Sequence, residues 1–201
     1  MELFDLTMPI DERTPTFPGD PKQEIKQIAT INKQGWNEKR LTFNSHFSTH
    51  IDAPFHMLAD GKKLTDFPIE AFIGEAIVID AGNMAEIEPC LDAVKPGYIV
   101  FFYTGHIRKA YSGDFFKDNP VIAKTTAQKL VEKKIKIVGL DSFTPDNAPF
   151  EVHKLFFRHS IMIVENLANL DKLVGRRFTC YILPLKIQDA DGAPCRIVGV
   201  L

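Results

Sequence analysis

Residues 44–56 read NSHFSTHIDAPFH and hold three of the six histidines in the chain together with an aspartate. Imidazole nitrogen and carboxylate oxygen in combination suit zinc, manganese or ferrous iron, and with no thiolate nearby they point to an open, catalytic site rather than a closed structural one. A lone histidine is usually a surface or core residue satisfied by hydrogen bonds. Three beside an aspartate form a candidate metal centre. In a straight strand the Cα atoms of His46 and His50 would lie about 13 Å apart, too far for both rings to reach one ion easily. A helical turn would bring their Cβ atoms to about 5–6 Å but would carry Asp52 off that face. Pro54 also disfavours helix at Ala53. The spacing therefore predicts a bent loop or single turn running into an extended piece, where His46, His50 and Asp52 converge and His56 stands off.

Such a cluster needs rigid elements to hold it. Short runs rich in branched and aromatic residues recur at 75–80, 98–103, 135–140, 160–164 and 178–185, each bounded by Gly, Pro, Asn or Asp, and read as core strands. Residues 125–134 place Ala127, Leu130, Val131 and Lys134 at helical spacing, with Thr125 or Thr126 able to cap the start. A shorter helical turn is expected over 88–94, ahead of Pro96 and Gly97. Pro9, Pro15, Pro18, Gly19 and Pro21 predict an extended arm or short edge strands in the first forty residues, with a fixed loop over 14–21. The expected class is mixed α/β and β-rich, a single compact domain over residues 1–201 around a central mixed sheet.

Composition narrows the partners. With 24 basic and 26 acidic residues the formal charge is -2, which favours a small-molecule substrate over nucleic acid or an anionic membrane. No apolar stretch approaches the roughly 18–20 residues that span a bilayer. Residues 1–11 carry Glu2, Asp5 and Asp11 and lack a signal-peptide pattern, so a cytoplasmic protein is expected. Cys90, Cys180 and Cys195 are odd in number and widely spaced, as reduced thiols would be.

HFSTHIDAPFH at 46–56 resembles the HxGTHxDxPxH signature of the cyclase family, which includes bacterial kynurenine formamidases, with Ser48 standing where that family usually has glycine. The resemblance extends to TPTFPGDP at 14–21, GLDSFTPD at 139–146, HKLFFRHSIMIVENL at 153–167 and PLKIQDADGAPCRIV at 184–198, and so covers nearly the whole chain. It implies a swivelling β/β/α-like architecture and two divalent ions, zinc with manganese as the alternative, held by His46, His50, Asp52, His153 and Glu165. Glu165 ends the apolar run 161–164, where an unpaired carboxylate is costly and a cation would relieve it. His159 would share a strand face with Glu165 but stand about 20 Å away along it. A helical turn over 153–157 followed by a strand ending at Glu165 would instead return His153 to the same mouth.

The resemblance further implies hydrolysis of an amide, formyl-amide or lactam bond by metal-activated water. His56, the motif histidine outside the metal shell, is then the general base and later the acid. Phe17 and Ser48 are expected at the substrate pocket. Asp141, Ser142 and Asp146 follow the strand 135–140 and are expected to line the pocket or support the ligands, with an Asx-type turn at Asp146 and Asn147 as the equal alternative. Phe17, Trp36 and Phe43 could line an aryl pocket, although core packing is the commoner role of such rings. A homodimer or larger homo-oligomer is implied. The competing readings are an isatin or lactam hydrolase, a polyketide-type cyclase or dehydratase using the same metals, and a metal- or ligand-binding protein without turnover.

Overall fold

The computed structural model describes residues 1–83 and 87–201. In chain order its regular elements are β1 (Leu3–Asp5), β2 (Glu24–Ala29), α1 (Ile31–Gln34), β3 (Glu38–Thr42), β4 (His50–Asp52), β5 (Ile73–Asp80), β6 (Ile99–Tyr103), α2 (Lys124–Glu132), β7 (Ile137–Leu140), α3 (Glu151–Arg158), β8 (Met162–Glu165), β9 (Arg177–Pro184) and β10 (Gly192–Val200). Strands β5, β6, β7 and β8 run parallel. Their connections include α2 and α3, so helices cover one face of the sheet.

Two-residue alternation sorts these strands between two cores. Ala76, Val78, Ile99, Phe101, Ile137, Met162 and Val164 point into one cluster, shared with Ile51, Phe178, Ile182 and Ile197 of the other strands. Ile77, Ile79, Val100, Phe102, Val138, Leu140 and Ile163 point into the other, with Leu130 of α2 and Phe156 of α3. Burial on both faces is why the strands read as continuous apolar runs. Gly139 is required by this packing: a Cβ there would stand 2.8 Å from Phe101 Cδ1 and 2.9 Å from Leu167 Cδ1.

The expected central mixed sheet is present, and it closes. The strand order is β1-β10-β4-β8-β7-β6-β5-β9, and β9 also pairs antiparallel with β10. Seven strands from β10 to β9 thus form a mixed barrel, and β1 lies beside the last residues of β10. Strand β10 was not expected from the sequence, because Gly192, Pro194 and Gly199 break its pattern. Helix α2 falls where its spacing predicts but begins after Ala123 without a side-chain cap. Thr126 is instead buried. The helical turn near 88–94 is a 3-10 turn over Glu88–Ala93.

Strands β2 and β3 form a separate antiparallel hairpin. Ile28, Ile31, Trp36 and Leu41 on it are exposed. Trp36, weighed as a pocket or core ring, is neither: it is 57% exposed and its indole N–H donates to Glu38 Oε2. Phe43 stacks on Phe47 at 5.3 Å between ring centroids. The loop over 14–21 is tied down by the Gln23 side chain, which donates to the Thr14 and Glu12 carbonyls at 2.8 and 3.1 Å.

Candidate metal centre and its cavity

Strand pairing explains how residues far apart in sequence meet. His50 and Asp52 share one face of β4 because they are two residues apart. The β4–β8 register sets His50 directly opposite Glu165. Ahead of β4 the chain bends through Ser48, which adopts a left-handed φ of 57°. The bend returns His46 to Asp52, with Nδ1 2.7 Å from Oδ1. Beyond β4, the 3-10 turn Pro54–His56 carries His56 over the same cluster, its ring centroid 3.9 Å from that of His46. The segment is thus a bend running into an extended piece, but His56 does not stand off from the cluster as expected: it lies against His46 and within reach of Asp52.

His153 arrives on the buried stripe of α3, formed by Val152, His153, Phe156 and Phe157 at amphipathic spacing. Asp146 sets its pose. Oδ2 accepts the Val152 amide at 2.6 Å, satisfying a free N–H of the first turn, while Oδ1 pairs with His153 Nδ1. His153 Nε2 is left facing Glu165 Oε1 at 3.5 Å.

Among the described residues, two groups of donors lie close enough to hold an ion: His46, Asp52 and His56, and His50, Asp52 and Glu165, the atoms of each within 4.8 Å of one another. Asp52 belongs to both. His153 is in neither group, but it, His46 and His50 each have one ring nitrogen engaged: His46 Nε2 by Asp191 Oδ2 at 2.9 Å, His50 Nδ1 by the Ser48 carbonyl at 2.9 Å, and His153 Nδ1 by Asp146. This is the outer-sphere pattern that orients metal-binding histidines. His50 Nε2 is buried without a hydrogen bond, although Asp52 Oδ1 and Glu165 Oε2 stand 3.3 and 3.4 Å away. An unsatisfied buried nitrogen between two carboxylates fits a divalent cation.

The electrostatics of the metal-free chain agree. Burial works against charge on His46, but Asp52 and Asp191 outweigh it and push the imidazole up to about 10. Burial likewise opposes charge on His153, where Asp146 and Glu165 prevail and push it up to about 9. Burial and the neighbouring Asp52 carboxylate raise Glu165. Protons on the histidines thus offset two crowded carboxylates, as bound cations would. His56 differs: burial, assisted by His46 and His153, holds its imidazole below the ordinary value. That direction favours the neutral imidazole, the form able to accept a proton.

These groups form one wall of a cavity of about 290 Å³. The cavity is also lined by aromatic rings. Phe17, Phe115, Phe116 and Phe143 line it, with Phe17 edge-on to Phe116 at 5.7 Å and Phe116 5.0 Å from Phe143. Ser48 also lines the cavity, whereas Asp141 and Ser142 stand behind it, fully buried. Asp141 accepts the Thr104 and Gly105 amides at 2.8 and 2.7 Å, and Ser142 Oγ bonds the Thr144 carbonyl. They fix loops, and only Asp146 of that trio touches a candidate ligand. His159 is exposed at the end of α3 and bonds the Leu155 carbonyl.

Asp191 escaped sequence reasoning, because nothing in the spacing of DADG separates it from Asp189, which pairs with Lys63 on the surface. Phe115 and Phe116 lie in an unpatterned loop and gave no signal, and Phe143, although within GLDSFTPD, was given no role.

Comparison with known proteins follows this geometry. A kynurenine formamidase of Bacillus mycoides is 34% identical over 207 residues, covering 98% of this chain and 96% of the relative. The fold superposes on an isatin hydrolase crystallised with the product analogue thioisatinate at a TM-score of 0.90, with 24% identity over 100% of this chain and 92% of that one. A "predicted metal-dependent hydrolase" of Bacillus stearothermophilus gives a TM-score of 0.81 at 26% identity, covering 98% and 97%. The family model "Putative cyclase" matches residues 4–147, and this chain belongs to the cyclase family.

Proposed function

We propose that the chain is a divalent-metal-dependent hydrolase of non-peptide C–N bonds that acts on N-formyl aryl amines, N-formylkynurenine among them. The observation that carries the reading is Asp52 shared between two donor groups, in a cavity that phenylalanine rings also line, with the His56 imidazole held below its ordinary pKa. His46, His50, Asp52, His153 and Glu165 would hold two ions, zinc or alternatively manganese. Bound there, the ions would supply Lewis acidity toward the scissile carbonyl and make water nucleophilic near neutral pH.

The side chains have the remaining tasks. Phe17, Phe116 and Phe143 would seat the aryl ring and keep water from its face. His56 would take the proton of the attacking water and return it to the departing nitrogen. Isatin-type lactam opening cleaves the same kind of bond, and kynurenine formamidase relatives at 31–34% identity weigh toward the formyl amide.

The test is to quantify bound zinc and manganese, then assay N-formylaniline, N-formylkynurenine, a cyclic imide and isatin with and without chelator. Formate release that chelator abolishes is the expected result. His56→Ala should keep its metal and lose about 10²- to 10⁴-fold in kcat. A protein with full turnover after complete metal removal would overturn the reading.

No helix among the described residues is long and apolar enough to cross a membrane. A cytoplasmic location is consistent with the free thiols of Cys90, Cys180 and Cys195. A homo-oligomer is supported by the exposed apolar residues of the β2–β3 hairpin, since an isolated two-stranded hairpin is only marginally stable in water.

A further inference from the structure

The proposed mechanism leaves Asp191 unused, although it touches more of the centre than its position in sequence suggests. Its Oδ2 lies 2.9 Å from His46 Nε2 and 3.6 Å from His56 Nδ1. The first contact is a hydrogen bond and the second, beyond that range, is electrostatic. Its backbone carbonyl accepts the amide of Ala53 at 2.8 Å, on the link between Asp52 and the turn that bears His56. The next residue, Gly192, pairs with Asp52 across β10 and β4. A Cβ there would fall 2.7 Å from His46 Cε1 and 3.0 Å from the Ile51 carbonyl, so the backbone passes flush against the His46 ring.

We infer that Asp191 is a positioning residue that sets His46 and His56 in one fixed relation, aligning a metal ligand with the proton carrier through a single carboxylate oxygen. This rests on the function proposed above. By engaging Nε2, Asp191 turns His46 Nδ1 toward Asp52 and the ion, the service Asp146 performs for His153. By facing Nδ1 of His56 it leaves Nε2 as the nitrogen available to the cavity. Asp146 and the Ser48 carbonyl each serve one histidine, whereas Asp191 serves two, and only one of these is a ligand. Its side chain is about one-third exposed, so its contribution is orientation more than burial.

The two contacts can be separated by substitution. Asp191→Asn retains an oxygen able to accept from His46 but removes the charge facing His56, and Asp191→Ala removes both. Zinc titration by calorimetry should show affinity at one of two sites falling about 10- to 100-fold in Asp191→Ala and less in Asp191→Asn. With zinc saturating, kcat on N-formylaniline should fall about tenfold or more in both variants, with KM within about twofold of wild type. If Asp191→Ala fails to fold, the near-isosteric Asp191→Asn still reads the kcat effect and the change in zinc affinity. Wild-type zinc affinity and kcat in Asp191→Asn, or in both variants, would overturn the assignment. A wild-type protein that binds no zinc and hydrolyses nothing in the panel would instead end the proposed function itself. One that binds zinc but lacks turnover leaves the affinity arm to decide the role of Asp191.

Discussion

The donor side chains of the cavity come from β4, β8, α3 and the bend and turn that flank β4, whereas its phenylalanines Phe17, Phe115, Phe116 and Phe143 come from loops. His50, Asp52 and Glu165 sit on β4 and β8, whose pairing fixes their separation, and every histidine proposed to bind metal has its second nitrogen held. The phenylalanines of the cavity are held by one another: Phe115, Phe116, Phe143 and Phe17 make edge and tilted contacts at 5.0–6.1 Å. A wall of directional bonds positions reacting atoms to a few tenths of an ångström, while a wall of ring contacts accepts changes of shape at modest cost. Chemistry and selectivity are therefore separable by substitution.

The largest effect is expected where the directional wall is most shared. Asp52→Ala removes a donor from both groups, so bound metal should fall toward zero and kcat/KM by about 10³-fold or more, given the several kcal/mol that metal polarisation supplies. Metal analysis beside the kinetics checks this. A variant holding both ions would mean that Asp52 does not bridge.

The second prediction uses protons in place of metal. In the metal-free chain the pKa values of His46 and His153 are raised above the ordinary histidine value, to about 10 and about 9. Their stabilising effect is thus fully present below about pH 6.5 and fades as pH climbs through about 9 and then 10. A divalent ion must displace these protons, so zinc affinity should rise with pH between about 6 and 9, by about tenfold per unit for each proton released. Calorimetry in buffers of different ionisation enthalpy counts those protons. Affinity independent of pH would place the ions away from these two imidazoles.

The third sharpens the contrast within the aromatic wall. Phe115 is almost fully buried, and Phe115→Ala should cost about 3–5 kcal/mol of stability. Phe17 is 51% exposed, so Phe17→Ala should cost under about 1 kcal/mol while raising KM for an aryl substrate about three- to tenfold and leaving metal content unchanged. Chemical unfolding and steady-state kinetics separate the two outcomes. Loss of metal from Phe17→Ala would show the walls to be coupled.

This division also governs what the sequence could reveal. The four parallel strands were legible because burial on both faces leaves their centres apolar, as in the IVGL of β7, with polar residues such as Asp80 and Glu165 only toward their ends. His46, His50 and Asp52 were legible because they are local, and a bend between them followed from reach alone, although its place at Ser48 did not. His153 and Glu165 came from family resemblance; their meeting depends on the β4–β8 register and the cap from Asp146, which no local spacing encodes. Strand β10 was hidden by Gly192, required by the His46 ring, and by Pro194. Asp191 was hidden with it. Trp36 misled because a large aromatic ring is normally packed, and here it lies on the outside of a hairpin.

The smallest expected effect lies at the bend. Ser48 holds a φ of 57°, a left-handed conformation that L-residues with a Cβ adopt at a cost of about 1–2 kcal/mol and that glycine tolerates. Its hydroxyl recovers little of this, since it reaches the Met8 carbonyl only at 3.4 Å. The carbonyl of Ser48, in contrast, accepts from His50 Nδ1 and from Asn166 Nδ2, both at 2.9 Å, and a backbone group survives substitution. Ser48→Gly should therefore leave metal affinity within about twofold. The folded state would be relieved of strain while glycine adds freedom to the unfolded chain, and the two oppose each other. Strain is the larger, so net stabilisation of about 0.5–1 kcal/mol is expected, read as a rise in Tm of about 1–4 °C. A fall in Tm would mean that the Ser48 hydroxyl holds the amino-terminal segment more firmly than its distance implies. The bend would then be fixed by that side chain and not by the backbone bonds around it.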